Sequence, residues 1–277
     1  MLEKEELEML KGKALDIRVS TIREIGNLGK GHIGGAMSMV EIITYLYYHA
    51  MRTDPQNPGL KGRDRFVCSK GHAGPVVYAT LAEKGYFPKE WLLTLNKGGT
   101  RLPSHCDMTK TPGIDFSTGS LGQGASAAAG IALGQKILGE DSHTYLVIGD
   151  GESQEGQIWE MAEFASTQKL GNLIAFTDFN RQQLDGYTRD IVSMDNIDTR
   201  WLGFNWHVQR VDGHDFEALD EAVEKAKVAK DMPSMIICDT VKSKGFCFGE
   251  GIAANHSMDF GKEQGEKAIE TLIGGSR

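Results

Sequence analysis

Thr144-Tyr145-Leu146-Val147-Ile148-Gly149-Asp150-Gly151 is the stretch on which the reading of this chain turns. Its first five residues are apolar, β-branched or aromatic, and the run breaks at a Gly-Asp-Gly turn, as a buried strand does when it delivers a carboxylate to the edge of a sheet. That edge is where α/β proteins bind ligands. Downstream, residues 155–170 set Ile158, Met161, Ala162, Ala165 and Leu170 at near-helical spacing, so an amphipathic helix is expected there. A second apolar run over 172–178 ends at Phe179-Asn180, about thirty residues after Asp150. Two parallel strands joined by one crossover helix would bring Asp150 and Asn180 side by side at the sheet's carboxyl edge. One carboxylate, one amide oxygen and a turn carbonyl make a hard, underfilled oxygen shell, suited to Mg²⁺ or Ca²⁺ completed by phosphate oxygens. An isolated Gly-Asp-Gly is more often an ordinary turn, and a lone Asn a cap. The second strand ending in Asn at this distance, followed by Leu184-Asp185-Gly186, favours a clamp for a metal carrying a diphosphate.

Bulk properties narrow the field. The chain has 277 residues, 40% of them hydrophobic and 25% charged, enough for a real core in an ordinary globular protein. A net charge of −8 argues against nucleic acid or an anionic membrane as the main partner. The start is too acidic for a signal or transit peptide and no apolar run is long enough to span a bilayer, so a cytoplasmic protein is expected. Cys68, Cys106, Cys238 and Cys247 form no C-x-x-C pair and no zinc-like spacing. With no repeat, linker or long charge run, residues 1–277 are expected to form one domain, with an amino-terminal helix inside 1–30 and a carboxyl-terminal helix and tail at 262–277.

Apolar residues at helical spacing over 3–28 predict a long first helix ended by Gly29 and Gly31. Gly31-His32-Ile33-Gly34-Gly35 leads into a second helix expected over 38–50, whose aromatic face of Tyr45, Tyr47 and Tyr48 is assigned to a partner surface. Residues 63–68 read as a short strand, and Ser69-Lys70-Gly71-His72-Ala73-Gly74-Pro75 opens a helix over 76–84. A histidine at such a strand-to-helix junction lies among free amide groups that can meet phosphate. A short helix over 88–95 and a loop over 96–112 carrying His105 follow. No general base or ligand spacing supports Cys106 as a nucleophile. Ser117-Thr118-Gly119-Ser120-Leu121-Gly122-Gln123-Gly124 introduces a helix of small residues over 125–137, read as an interface beside the site or as close helix-on-sheet packing. Further strands are expected at 207–211 and 235–240, a helix over 215–229 capped by Asp215, and a last helix near 262–272. The element order predicts an α/β fold: a mainly parallel sheet with helices on both faces.

Gly149-Asp150-Gly151 with Asn180 resembles the signature of thiamine diphosphate enzymes. Gly31-His32, Gly71-His72-Ala73-Gly74-Pro75, His105 and Thr118-Gly119-Ser120-Leu121-Gly122-Gln123-Gly124 make the likeness more specific. In order and along nearly the whole chain, they resemble the amino-terminal half of transketolases. At roughly half a full transketolase's length, the chain is similar to the separately encoded amino-terminal subunit of a split transketolase, with the diphosphate-binding domain of that fold.

The resemblance implies that Asp150, Asn180 and the carbonyl of Gln182 bind Mg²⁺ or Ca²⁺. It implies that Gly151 lets the diphosphate approach, that His72, with His256, touches its oxygens, and that Gly119 and Leu121 contact the aminopyrimidine. It puts Leu184 on the thiazolium, Glu155 in a carboxylate network at the subunit interface, and His32, His105 and His256 along the substrate channel. There they would bind the donor's hydroxyls and shuttle its proton. The activity implied is reversible transfer of a two-carbon ketol unit between a ketose phosphate and an aldose phosphate. The implied partner is a carboxyl-terminal, pyrimidine-binding subunit in a heterotetramer. The alpha subunit of a 2-oxo acid dehydrogenase and a non-catalytic metal- or nucleotide-binding module are the alternatives. The paired Gly-His turns argue against the first, and the absence of G-x-x-x-x-G-K-[ST] and of a post-strand G-x-G-x-x-G against a nucleotide site.

Overall fold

Five strands carry the apolar runs of the chain: β1 (Arg65–Cys68), β2 (Thr144–Gly149), β3 (Leu173–Phe179), β4 (His207–Asp212) and β5 (Ser234–Asp239). In the computed structural model, which describes residues 2–275, they form one sheet in the order β1-β2-β3-β5-β4. Every neighbouring pair is parallel. The last two residues of the expected 262–277 tail, and Met1, lie outside the described residues.

Successive strand residues feed two different cores. Tyr145, Val147, Ile174, Phe176 and Ile236 lie in one, and Leu146, Ile148, Ala175, Met235 and Ile237 in the other. Side chains alternate across a strand, so an unbroken apolar run is what a sheet covered on both faces requires. The cover comes from helices that we label α1 (Lys4–Leu28), α2 (Ile33–Met37), α3 (Val40–Tyr45), α4 (Gly74–Lys84), α5 (Gln123–Leu138), α6 (Gly156–Thr167), α7 (Ile197–Gly203), α8 (Phe216–Val228) and α9 (Lys262–Gly275); one further short helix spans Thr188–Ile191. Residues of α1, α3, α4 and α8 join the first core, and residues of α5, α6 and α7 the second. The expected mainly parallel α/β architecture is borne out.

α1 stops where expected: Gly29 takes a left-handed φ of 98° and its amide closes onto Ile25. α9 returns along α1, with the Phe260 ring against Gly26, Gly265 against Ile22 and Arg23 paired with Glu266. Asp215 caps α8 by accepting from the amides of Glu217 and Ala218. No helix among the described residues is long and apolar enough to cross a membrane.

Three expectations are corrected. The helix expected over 38–50 is instead α2, α3 and a wider π turn at Leu46–Ala50. α2 runs closely under a later loop: a Cβ on Gly34 would sit 2.3 Å from the Asn255 carbonyl oxygen. The aromatic face of this segment belongs to the chain's own core. Tyr45 and Tyr47 are buried, Tyr45 donates its hydroxyl to Asp220, and Tyr47 packs edge-on against Phe66 and Tyr86. The short helix over 88–95 is a 3₁₀ segment, Lys89–Thr94.

The small-residue helix α5 packs closely on the sheet, the second of the two readings its composition allows. Ala125, Ala128, Ala129 and Ala132 bury against the sheet, and Gly124 lies so close to Ser69 that a Cβ would meet its Cα at 2.8 Å. On the outer side nothing lies within 4 Å of a Cβ placed on Gly130 or Gly134, and Ile137 and Leu138 are about three-quarters exposed.

Candidate active site

β2 and β3 end side by side, with Gly149 opposite Asp178. Beyond them both chains turn into a cavity of about 280 Å³ at the carboxyl edge of the sheet. Asp150 is buried; its carboxylate accepts from the amides of Gly151 and Arg181. Arg181 holds a left-handed φ of 64°, and this bend brings its amide to Asp150 and sends the chain into a small hairpin, Gln182–Gln183 paired with Gly186–Tyr187. The Asn180 side chain is fixed at both ends: Oδ1 accepts from the Gln182 amide and Nδ2 donates to Asp178, each at 3.1 Å. The carbonyl of Gln182 is turned toward the cavity, where it accepts from the Lys242 ammonium at 3.2 Å. Asp150, Asn180 and Gln182 therefore meet as the strand register requires.

Gly151, Leu121, Glu155 and Leu184 also line the cavity. A Cβ on Gly151 would lie 2.9 Å from that of Gln183, so only glycine leaves room there. Leu184 is 67% exposed, an apolar side chain left standing at the mouth.

Four histidines from four separate loops gather on one side. The His32 ring centroid lies 5.6 Å from that of His72, 5.7 Å from His105 and 5.4 Å from His256, and His72 and His256 are 4.8 Å apart. His72 and His256 line the cavity itself. His32 and His105 extend the group beyond it, and Gly119 packs against the His105 ring. Burial lowers the pKa of all four, with Lys70 adding to the effect at His72, His105 at His32, and Lys242 pushing His256 down to about 3. Neutral imidazoles result, each with one donor and one acceptor nitrogen. The Lys242 ammonium has only donors, so His256 Nδ1 accepts from it and Nε2 carries the proton.

Four further polar residues escaped the sequence reading. Lys70 is buried and donates to the Asp178 carboxylate and to the Gly35 carbonyl. Asp178 also accepts from Ser38, Thr240 and Asn180. Burial opposes its charge, but Lys70 and these donors hold its carboxyl below the ordinary value. Lys242 follows β5 and enters the cavity from the opposite side, its pKa lowered to about 8 chiefly by burial. Glu152 ties three loops together by accepting from Ser69, Gly122 and Gly149. The available signals were positional: Asp178 lies two residues before Asn180 on the same strand, and Lys70 and Lys242 directly follow the carboxyl ends of parallel strands.

The cavity thus offers hard oxygen donors for a cation, two buried ammonium groups, close backbone approach at glycines, and a neutral histidine cluster alongside. The side-chain oxygen Oε1 of Gln182 is buried without a hydrogen-bond partner. This composition suits a metal-bound diphosphate better than a purely organic ligand.

Comparison with known proteins agrees. The family model "Transketolase, thiamine diphosphate binding domain" matches residues 11–274. The chain is 52% identical over 263 residues to the 6-deoxy-6-sulfo-D-fructose transketolase subunit SqwG of Clostridium sp. (strain MSTE9), covering 95% of this chain and 96% of that one. It is 36% identical over 271 residues to an apulose-4-phosphate transketolase subunit of Actinobacillus succinogenes, covering 98% and 97%. The solved transketolase of Leishmania mexicana superposes with a TM-score of 0.91 at 30% identity, covering 96% of this chain and 41% of that chain. The chain therefore spans well under half of the solved transketolase and nearly all of the relatives named as subunits. The resemblance read from the motifs is borne out, and the chain belongs to the transketolase family, as the part that binds thiamine diphosphate.

Proposed function

We propose that this chain is the cofactor-binding wall of a two-subunit transketolase, which moves a two-carbon ketol unit reversibly from a ketose to an aldose. The observation that carries the reading is the neutral His32, His72, His105 and His256 cluster, which reaches through His72 and His256 into the cavity lined by Asp150, Asn180 and Gln182. In this reading Asp150, Asn180 and the Gln182 carbonyl hold Mg²⁺ or Ca²⁺. Gly151, Lys70, Lys242 and His72 receive the diphosphate. Gly119 and Leu121 face the aminopyrimidine, Leu184 packs on the thiazolium, and Glu155 pairs across the subunit interface. When bound, thiamine diphosphate supplies the electron sink that carbon–carbon cleavage between hydroxyl-bearing carbons requires.

The chain's own contribution is orientation and proton handling. His32, His105 and His256 bind the donor's hydroxyls, and a neutral imidazole can accept the hydroxyl proton as the bond breaks and return it to the acceptor. A carboxylate there could only accept. Nothing in the cavity completes the aminopyrimidine site or holds the sugar's anionic end, so these belong to a carboxyl-terminal partner subunit, in a heterotetramer with sites between chains. We take residues 1–277 as one domain and the cytoplasm as its compartment.

The 52% relative directs the first substrate test to 6-deoxy-6-sulfo-D-fructose, with the phosphate ester of a ketose as its competitor. The chain and its partner subunit, mixed with thiamine diphosphate and Mg²⁺, are expected to transfer the two-carbon unit from one of these donors to an aldose phosphate. The chain alone should be silent. Full turnover without a partner would sink the shared-site reading, and acyl transfer to lipoamide would move the chain to the 2-oxo acid dehydrogenases.

A further inference from the structure

Lys242 reaches the cavity from the turn that follows β5, and that turn is held by bonds from outside the cavity. The 241–245 turn is bent sharply: Ser243, a non-glycine residue, sits at a left-handed φ of 62°. Such a conformation persists only where its surroundings fix it. Three contacts from other elements do so. The Ser243 amide donates to the Gly34 carbonyl at 3.0 Å, the Lys244 carbonyl accepts from Arg18 Nη1 at 2.6 Å, and the Val241 amide donates to His214 Nε2 at 2.9 Å.

The last two contacts share one support. Arg18 on α1 donates through Nη2 to both oxygens of Glu41 on α3, and Glu41 also takes the Nδ1 proton of His214, just before α8, at 2.8 Å. Although burial works against its charge, Arg18 and His214 keep the Glu41 carboxyl down to about 2, so it is an ionised acceptor. An acceptor at Nδ1 fixes the tautomer: the proton is on Nδ1 and Nε2 is free to accept from Val241. Arg18 Nη1 also donates to the Met37 carbonyl, binding the end of α2 to the same centre. A Cβ on Gly34 would lie 3.1 Å from Lys242 Cε, so the lysine stem runs against α2 and has one path into the cavity.

We propose that Arg18, Glu41 and His214 form a positioning triad that holds the strained 241–245 turn and, through it, aims the Lys242 ammonium at the diphosphate cradle. The inference rests on the reading of Lys242 as a diphosphate contact, and the test separates the two. His214→Ala, Lys242→Ala and the double variant are assembled with the partner subunit, and thiamine diphosphate affinity is measured by calorimetry with Mg²⁺ present. A lone Lys242→Ala is expected to weaken binding about tenfold or more, the size of one charge-assisted contact. His214→Ala is expected to weaken it severalfold in the wild-type background and by less than twofold on top of Lys242→Ala, because the histidine acts through the lysine. His214→Gln, whose amide can both accept from Val241 and donate to Glu41, is expected to restore affinity to within twofold of wild type. A merely structural histidine would give penalties that add in the double variant, and that result overturns the proposal, as does wild-type affinity in His214→Ala. If His214→Ala does not fold, His214→Asn, whose shorter side chain reaches only one of the two partners, takes its place in the same cycle. Wild-type affinity in Lys242→Ala would instead remove the diphosphate contact itself.

Discussion

Asp150, which we propose as a metal ligand, works against the fold that carries it when no cation is bound. Burial, reinforced by the neighbouring Asp178, pushes its carboxyl up to about 7 in the chain without a cation. A carboxyl whose folded value lies above its unfolded one costs stability once pH passes the unfolded value of about 3.9, and the full cost is present above about 7. Asp150→Asn is therefore expected to raise the melting temperature of the metal-free chain at pH 8 while weakening metal and thiamine diphosphate binding about a hundredfold. Thermal melts and calorimetry check the two halves, and unchanged cofactor affinity would remove Asp150 from the clamp. Lys70 carries the opposite expectation. Lys70→Met leaves Asp178 charged and buried without its ammonium, a change that costs about 3–5 kcal/mol in comparable buried pairs. Denaturant unfolding measures it, and a loss below about 1 kcal/mol would mean that Ser38, Thr240 and Asn180 satisfy Asp178 without the lysine.

At the scale of elements, the position of α2 depends on Gly34, whose Cα faces the Asn255 carbonyl. Gly34→Ala is expected to force the 242–256 segment away, destabilising the chain by about 1–3 kcal/mol and separating His256 from His32. Histidine ring chemical shifts and unfolding curves follow the two effects, and a native-like His256 resonance in a folded variant would refute the first. The same element marks the limit of what could be read from sequence. The strands and the long helices were legible because each is decided by its own periodicity: the run 144–149 is buried on both faces, and α1 repeats its apolar stripe along its whole length. The break between α2 and α3 was not: α2 packs under a loop more than two hundred residues away, and Ser38 at the break donates to Asp178 on β3. Tyr45 was misassigned to a partner for the same reason: its hydroxyl acceptor, Asp220, lies on a distant helix. Asp150 and Asn180, which we propose as the clamp, were legible as a spaced motif whose members the fold brings to one cavity. Lys70 and Lys242 were not, because most lysines are solvent-exposed and burial is a property of the assembled fold.

For the molecule as a whole, the neutral histidines tie stability to pH. Each has a folded pKa below its unfolded value near 6.5, so the stability they contribute is present in full above that value and is lost as pH falls, through about 3 for His256. The histidines' contribution to the melting temperature is expected to fall below pH 6.5, opposite in sign to that of Asp150, and His256→Gln to remove part of that fall between pH 6.5 and 5. A variant with the wild-type slope would show that His256 is not among the groups that take up the protons. The strand order has a different consequence, in time. β5 lies between β3 and β4 but follows both in the chain, so during synthesis the outer edge of β3 stays unpaired until residues 234–239 emerge. Lys242 and His256 come later still. A growing chain carries Asp150 and Asn180 long before it can close the cavity over them. Capture of the cofactor then comes late in the making of the chain, and before it, until residues 234–239 emerge, the bare edge of β3 is open to pairing with another chain.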